Sequence, residues 1–159
     1  MLVLPDAIIG KPVGFTCSTW DLLHAGHILM LAEAKTVCNY LIVGLQSDPT
    51  IDRPEIKNKP VQSVYERYIQ LQGCKYVDEI LVYLTEEDLA NLIMTQTMHI
   101  RFLGEEYKNK DFTGKQYCIE SGIELYYHIR NHSYSTSELR KRTYELEMQK
   151  ESEPDVIEY

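Results

Sequence analysis

The chain has 159 residues, with 24 Asp or Glu against 16 Lys or Arg and a formal net charge of −8. That length suits one domain with a real hydrophobic core. The acidic balance argues against a general nucleic-acid binder or a binder of anionic membranes, but leaves room for a nucleotide as a small substrate in a locally positive site.

Residues 1–12 are apolar but interrupted by Pro5 and Asp6 and lack a basic leading region, so they make a poor signal peptide. They are expected to form an extra arm: a strand, a docking segment covered by a partner subunit, or a loose end. Val13–Cys17 reads as a buried strand, and the spacing of Ile28, Leu31, Ala32 and Lys35 predicts a helix to about Val37. Between them lies Ser18–His27, with two histidines and a glycine where a strand hands over to a helix. Unpaired backbone N–H groups and the positive helix end gather there, so a phosphate chain is readily held. Imidazoles at such a point can donate hydrogen bonds to phosphate oxygens.

Tyr40–Leu45 is a continuous apolar run, as in a strand buried on both faces of a parallel sheet. Gln46–Gln62 is a long polar loop with three prolines. Ser63 and Glu66 have capping-box spacing, so a helix starts there and ends near Gly73. Glu79–Tyr83 predicts a strand, and Thr85–Asp88 opens a helix whose inward face carries Leu89, Leu92 and Ile93. His99–Leu103 predicts a strand stopped by Gly104, followed by a second polar loop, Glu105–Thr113. A short helix from Gly114 to Ser121, a strand over Ile123–Ile129 and a last helix opening at Ser135–Glu138 complete the pattern. Residues 150–159 read as an acidic, flexible tail. No run approaches the roughly 20 apolar residues of a membrane span, so stable membrane insertion is not expected.

Strands alternate with helices along the whole chain. This predicts an α/β fold: one Rossmann-like α/β/α sandwich domain over 13–145, with a mostly parallel sheet of about five strands. Ligands in such sheets bind at the carboxyl ends of the strands. The histidine loop, Gly104–Thr113 and Arg130–Ser137 all follow strands and so share that edge. The four cysteines, Cys17, Cys38, Cys74 and Cys118, are widely spaced with no C-x-x-C pair, which suggests neither zinc nor a redox dithiol. A reducing, cytoplasmic location is the simplest expectation.

The segment Trp20-Asp21-Leu22-Leu23-His24-Ala25-Gly26-His27 resembles the D-x-x-H-x-G-H signature of the nucleotidyltransferase superfamily, and more closely the glycerol-3-phosphate cytidylyltransferase family. Four further segments agree in order. Val64–Arg67 resembles the family's helix with an arginine after Y-E-x. Tyr76–Ile80 resembles its Y-V-D-E-V segment, Leu103–Tyr107 its G-D-D-W, and Arg130–Thr136 its R-T-E-G-I-S-T. This chain departs from the pattern at Ser18-Thr19-Trp20, where the family has G-T-F. Glutamates stand at Glu105 and Glu106, and Asn131-His132-Ser133 interrupts the last motif.

The resemblance implies attack by a phosphomonoester oxygen on the α-phosphorus of CTP, giving a CDP-alcohol and pyrophosphate. It implies His24, His27, Lys59 and Arg130 as catalytic residues. Thr16, Cys17, Ser18, Asp21, Gly26, Arg67, Gly104, Glu105, Ser135 and Thr136 would contact the nucleotide. Glu106, Tyr107, Lys110 and Phe112 are candidates for the acceptor, for which glycerol 3-phosphate is the first expectation. Phosphocholine or phosphoethanolamine stays open through carboxylates and cation–π contact. ATP-using relatives such as heptose-phosphate adenylyltransferases carry the same histidine motif, so the base is open too. Mg²⁺ is expected to bridge phosphates with few protein ligands, Asp21 among them, and a homodimer is implied. The plainer alternatives are that Arg67 is a surface residue of its helix, Lys59 an ordinary loop lysine, and Glu105 and Glu106 solvated acids. His99, His128 and His132 read as structural or exposed. A catalytically silent nucleotide-binding module is the alternative from another class, motivated by Asn131-His132-Ser133, and a metal-dependent hydrolase carries little weight.

Overall fold

The computed structural model describes residues 12–152. The expected arm over 1–11 and the tail over 153–159 lie outside the described residues. The elements run β1 (Val13–Ser18), α1 (Ala25–Val37), β2 (Tyr40–Gln46), α2 (Val64–Gln72), β3 (Glu79–Tyr83), α3 (Glu86–Thr95), β4 (Ile100–Gly104), a 3-10 turn (Glu105–Tyr107), α4 (Lys115–Glu120), β5 (Glu124–His128) and α5 (Thr136–Ser152). The strands form one five-stranded sheet in the order β3-β2-β1-β4-β5, and every pairing is parallel.

Alternation along β2 explains both faces of the core. Leu41, Val43 and Leu45 point to one face, where Leu31 and Ala34 of α1 and Leu71 of α2 pack with Trp20 and Phe102. Ile42 points to the other, with Val13 and Phe15 of β1, Leu89 and Ile93 of α3, and Cys118 of α4. The chain therefore winds outward from β1 through α1 and α2 on one face. It then crosses back through α3 and α4 on the other. β1 and β4 flank the point where the winding reverses, which is where such sheets bind ligands.

The helix starts are set by local chemistry. Ser63 and Glu66 form the expected capping box on α2, and Thr85 and Asp88 form another on α3. Ser135 accepts the Glu138 N–H at 3.1 Å at the start of α5. That helix continues to Ser152, through 150–152, which the sequence reading assigned to the tail. The first helix-breaking residue is Pro154, so the chain has no local reason to stop earlier. All four cysteines are free thiols, with Cys38, Cys74 and Cys118 buried and Cys17 half-buried. No helix among the described residues is long and apolar enough to cross a membrane.

Arg67 corrects an expectation. It is not a surface residue of its helix: it is 1% exposed, deep under the sheet edge. Its guanidinium donates to the carbonyls of Thr19, Gln46, Ser47, Gln62 and Ser63 at 2.5–3.2 Å. These carbonyls lie beyond β1, at the end of β2 and at the start of α2, where backbone acceptors would otherwise be buried without donors. Removing the guanidinium strands several of them at once. Arg67→Met is expected to destabilise the fold by about 3 kcal/mol or more in equilibrium denaturation. Arg67→Lys, with a single point of donation, should recover only part. An R67M variant unfolding at the wild-type denaturant midpoint would contradict this role.

Candidate active site

The turn from β1 into α1 is held in an unusual shape. Trp20 and Leu22 both take left-handed backbone angles, with φ of 54° and 50°, which side chains of that size rarely adopt. Three contacts fix it. The fully buried Trp20 ring donates its Nε1–H to the Gly44 carbonyl at 2.9 Å. Gln62 Oε1 accepts the Leu22 N–H at 2.7 Å. Asp21 accepts the N–H groups of Val61 and Gln62, one on each carboxylate oxygen, both at 2.9 Å. Asp21, expected at the nucleotide and as a metal contact, is thus the clasp between the histidine turn and the end of the long loop. Each of its oxygens accepts one backbone amide, which leaves further lone pairs on a residue that borders the cleft. Among the described residues no group of three or more His, Cys, Asp or Glu is arranged to hold a metal.

His24 caps α1. Its Nδ1 accepts the Gly26 N–H at 3.1 Å and the His27 N–H at 3.4 Å. An imidazole used this way is neutral, with its remaining proton on Nε2, so it can donate to an oxygen in front of the helix. Protonating Nδ1 would set a donor against two donors. The His24 pKa is accordingly lowered, through burial first and then the charges of Arg130 and His132. His27 stacks on His24 with ring centroids 3.9 Å apart and tilts against Trp20 at 5.1 Å. Burial, with His24 and Arg130 beside it, lowers the His27 pKa to about 3. Its Nδ1 is buried without a partner.

A cleft of about 1090 Å³ opens over the carboxyl edge and takes in both histidines, Arg130 and the start of α5. Thr16, Cys17, Ser18, Asp21, Gly26, Gly104, Ser135 and Thr136 also border it, as do Glu106, Tyr107 and Phe112. Arg67, Lys59, Glu105 and Lys110 do not. Lys59 is exposed on the long loop, and its carbonyl accepts from Arg140 of α5 at 3.3 Å. Thr136 gives its hydroxyl proton to the Asp21 carbonyl at 3.1 Å, across 115 positions of sequence. It therefore ties α5 to the histidine turn, and Ser135 and Ser137 border the cleft beside it. Arg130 donates to the Tyr134 carbonyl at 2.6 Å, which shapes the turn before α5.

The room left by the missing side chain at Gly26 is taken by this same turn: a Cβ there would stand 2.9 Å from both His132 Cε1 and the Tyr134 carbonyl oxygen. His132, read from sequence as structural or exposed, thus reaches the histidine pair, stacked on Tyr134 at 5.2 Å. At Gly104 a Cβ would overlap the Glu106 carboxylate, so Glu106 folds back over the strand end. Next to it in the sheet, at the end of β5, His128 Nδ1 stands 2.9 Å from the Glu33 carboxylate. Sequence reasoning missed His128, Glu33, Gln46, Arg53, Glu86 and Arg101, all at the cleft. Gln46 and His128 carried a signal as strand-end residues, Arg53 as a residue of the long polar loop and Glu86 as the first residue of α3, whereas Glu33 inside α1 and Arg101 inside β4 carried none.

Comparison with known proteins agrees with this geometry. The pattern of the cytidylyltransferase-like family matches residues 15–142. The chain is 33% identical over 121 residues to the bifunctional protein HldE of Helicobacter hepaticus, covering 76% of this chain and 24% of that protein. It is 35% identical over 110 residues to the protein of that name from Campylobacter concisus, covering 69% and 23%. It spans about a quarter of the length of these curated relatives. Among solved structures, the lipopolysaccharide core biosynthesis protein from Thermoplasma volcanium superposes with a TM-score of 0.60 at 25% identity, covering 79% of this chain and 100% of that one. Pantothenate synthetase from Thermus thermophilus shares the fold, with a TM-score of 0.53 at 15% identity over 82% and 64% of the two chains. The five-stranded parallel sheet, the histidine turn and the matched span together place this chain in the cytidylyltransferase-like family.

Proposed function

We propose that this chain transfers a nucleotidyl group, CMP from CTP, to a small phosphomonoester and releases pyrophosphate. The observation that carries this reading is the meeting of His24, His27, Arg130 and Ser135 at one end of a single cleft. An acceptor phosphate oxygen attacks the α-phosphorus and forms the new P–O bond. The bond from the α-phosphorus to the bridging oxygen breaks, and pyrophosphate leaves with the electron pair. Such a transfer needs positioning and neutralisation of moving charge more than covalent help. His24, fixed as the Nε2–H tautomer, supplies a donor aimed from a helix N-terminus. Arg130 supplies positive charge, and Ser135 a hydroxyl. Mg²⁺ belongs to this proposal only as an ion brought in on phosphate oxygens, and no step is routed through it. A homodimer is likewise part of the proposal.

Glycerol 3-phosphate is the acceptor suggested by the resemblance. A second reading, adenylyl transfer from ATP to a sugar phosphate, is favoured by the similarity to the HldE proteins and to a protein named for lipopolysaccharide core biosynthesis. Pyrophosphate release from CTP and ATP, screened against glycerol 3-phosphate, phosphocholine, phosphoethanolamine and sugar phosphates, distinguishes them. His27→Ala is expected to lower kcat by about a hundredfold or more on the productive pair. No turnover with any pair would overturn the proposal. Tight nucleotide binding without product, indifferent to H27A, would establish a silent binding module.

The histidines also set a pH dependence. In the unfolded chain His27 takes a proton near pH 6.5, whereas in the ligand-free fold it stays neutral down to about 3. The unfolded state therefore binds more protons in that window, and stability is lost as pH falls through it. Urea midpoints measured between neutral pH and pH 4 should fall less steeply in His27→Gln than in wild type. Parallel profiles would show that the imidazole is not held neutral by its surroundings.

A further inference from the structure

The turn before α5 brings a third imidazole to the first two. Arg130 holds this turn in shape through the Tyr134 carbonyl at 2.6 Å, and within it the His132 ring stacks on Tyr134 at 5.2 Å. Gly26 shows where that ring lies. The point where a Cβ would stand is 2.9 Å from His132 Cε1 and 3.0 Å from His24 Cε1. Cε1 is bonded to both nitrogens of an imidazole, so the Nε2 atoms of the two rings lie close to the same first turn of α1. Both residues border the cleft.

The buried side of each ring decides what the other side offers. His24 Nδ1 accepts two backbone N–H groups, which puts its proton on Nε2. His132 Nδ1 is buried with no partner. A proton on that nitrogen alone would strand a buried N–H, the kind of orphan that folded chains avoid most. With the proton on Nε2, or with both nitrogens protonated, Nε2 is a donor. Two Nε2–H donors then stand together at the histidine turn, with the Arg130 charge in the same loop. Such a pair suits the oxygens of an anion better than a group with protons of its own.

We propose that His132 Nε2 and His24 Nε2 form a two-imidazole pincer on the phosphate chain of the nucleotide, which makes His132 a phosphate-binding residue of this protein. The inference rests on the nucleotidyl-transfer reading for the identity of the anion. It reverses the sense of the departure at Asn131-His132-Ser133: the altered motif adds a donor to the site and is no sign of a silent one. In the proposed reaction negative charge moves onto pyrophosphate as the bond from the α-phosphorus breaks, and a donor already in place on the chain stabilises it.

The test separates the two ring nitrogens. The amide nitrogen of glutamine reaches about as far as imidazole Nε2, whereas that of asparagine reaches only as far as Nδ1. Dissociation constants for CTP and ATP are measured by calorimetry on wild type, H132Q and H132N. For the nucleotide that binds, His132→Asn should weaken binding about tenfold or more, while His132→Gln stays within about threefold of wild type. Cytidine and adenosine, which carry no phosphate, should bind all three proteins alike. A ring that only supports its turn would instead be missed equally in both variants, and nucleoside affinity and melting temperature would fall with it. H132N binding as tightly as wild type, H132Q losing as much as H132N, or nucleoside affinity falling in step overturns the pincer. Pyrophosphate release by the wild type in the same assays leaves nucleotidyl transfer standing without it. If neither CTP nor ATP binds, the transfer reading falls and inorganic tripolyphosphate decides the pincer alone. Binding weakened in H132N and kept in H132Q upholds it, and no binding or an equal loss overturns it.

Discussion

The buried guanidinium of Arg67 is the contact on which the working edge of this protein depends. Where the strands of a parallel sheet end, backbone carbonyls run out of ladder partners, and that is also the edge where such sheets bind ligands. Water cannot satisfy those groups beneath a loop, so a side chain must. Arg67 serves five carbonyls from three segments with one rigid fork. With Asp21 clasping Val61 and Gln62 from the other side, the long loop is anchored at its β2 end and at its α2 end. The stretch between, which carries Arg53, Lys57 and Lys59, is positioned over the cleft by its two fixed ends.

A second economy appears at the histidine turn. His24 both caps α1 and fixes its own tautomer, so the nitrogen left over is a donor by construction. The left-handed angles at Trp20 and Leu22 are the strain that this arrangement stores. Trp20, Gln62 and Asp21 hold them in place from the core, the long loop and the sheet edge. Thr136 then fastens α5 to the same turn. Cleft-bordering groups from opposite ends of the chain are therefore parts of one hydrogen-bonded unit, not neighbours by chance of folding.

Much of this was legible in the sequence. Period-2 and period-3.6 patterns, capping boxes and apolar runs mark each strand and helix, because the core needs those faces and the helix ends need those caps. The histidine turn was legible because its chemistry is local. Arg67 was not: a charged residue in a polar, amphipathic helix looks solvated until the sheet edge it serves is assembled. The structural bonds of Asp21 and Thr136 were hidden for a related reason. Their partners are backbone groups, and a sequence carries no record of which amide or carbonyl lacks a mate. His132, after β5, and the group Gln46, Arg53, Glu86 and Arg101, from β2, the long loop, α3 and β4, come to one cleft only through the strand order.

The charge distribution ties these features to substrate handling. A chain of net charge −8 repels nucleotides at long range, so the attraction must be built locally and close to where bonds change. Arg130 and the helix-end donors do this at one end of the cleft without a dense cluster of lysines. At the other end the Arg53–Glu86 pair cancels most of its own charge. Arg101, buried nearby with its guanidinium over the Phe112 ring, leaves that end net positive. A cleft of about 1090 Å³ is larger than a single small ligand requires, and its two ends differ in the chemistry they offer. On the proposed nucleotidyl transfer the histidine end would take the phosphates, because in-line attack on an α-phosphorus needs positioning and charge neutralisation at that point.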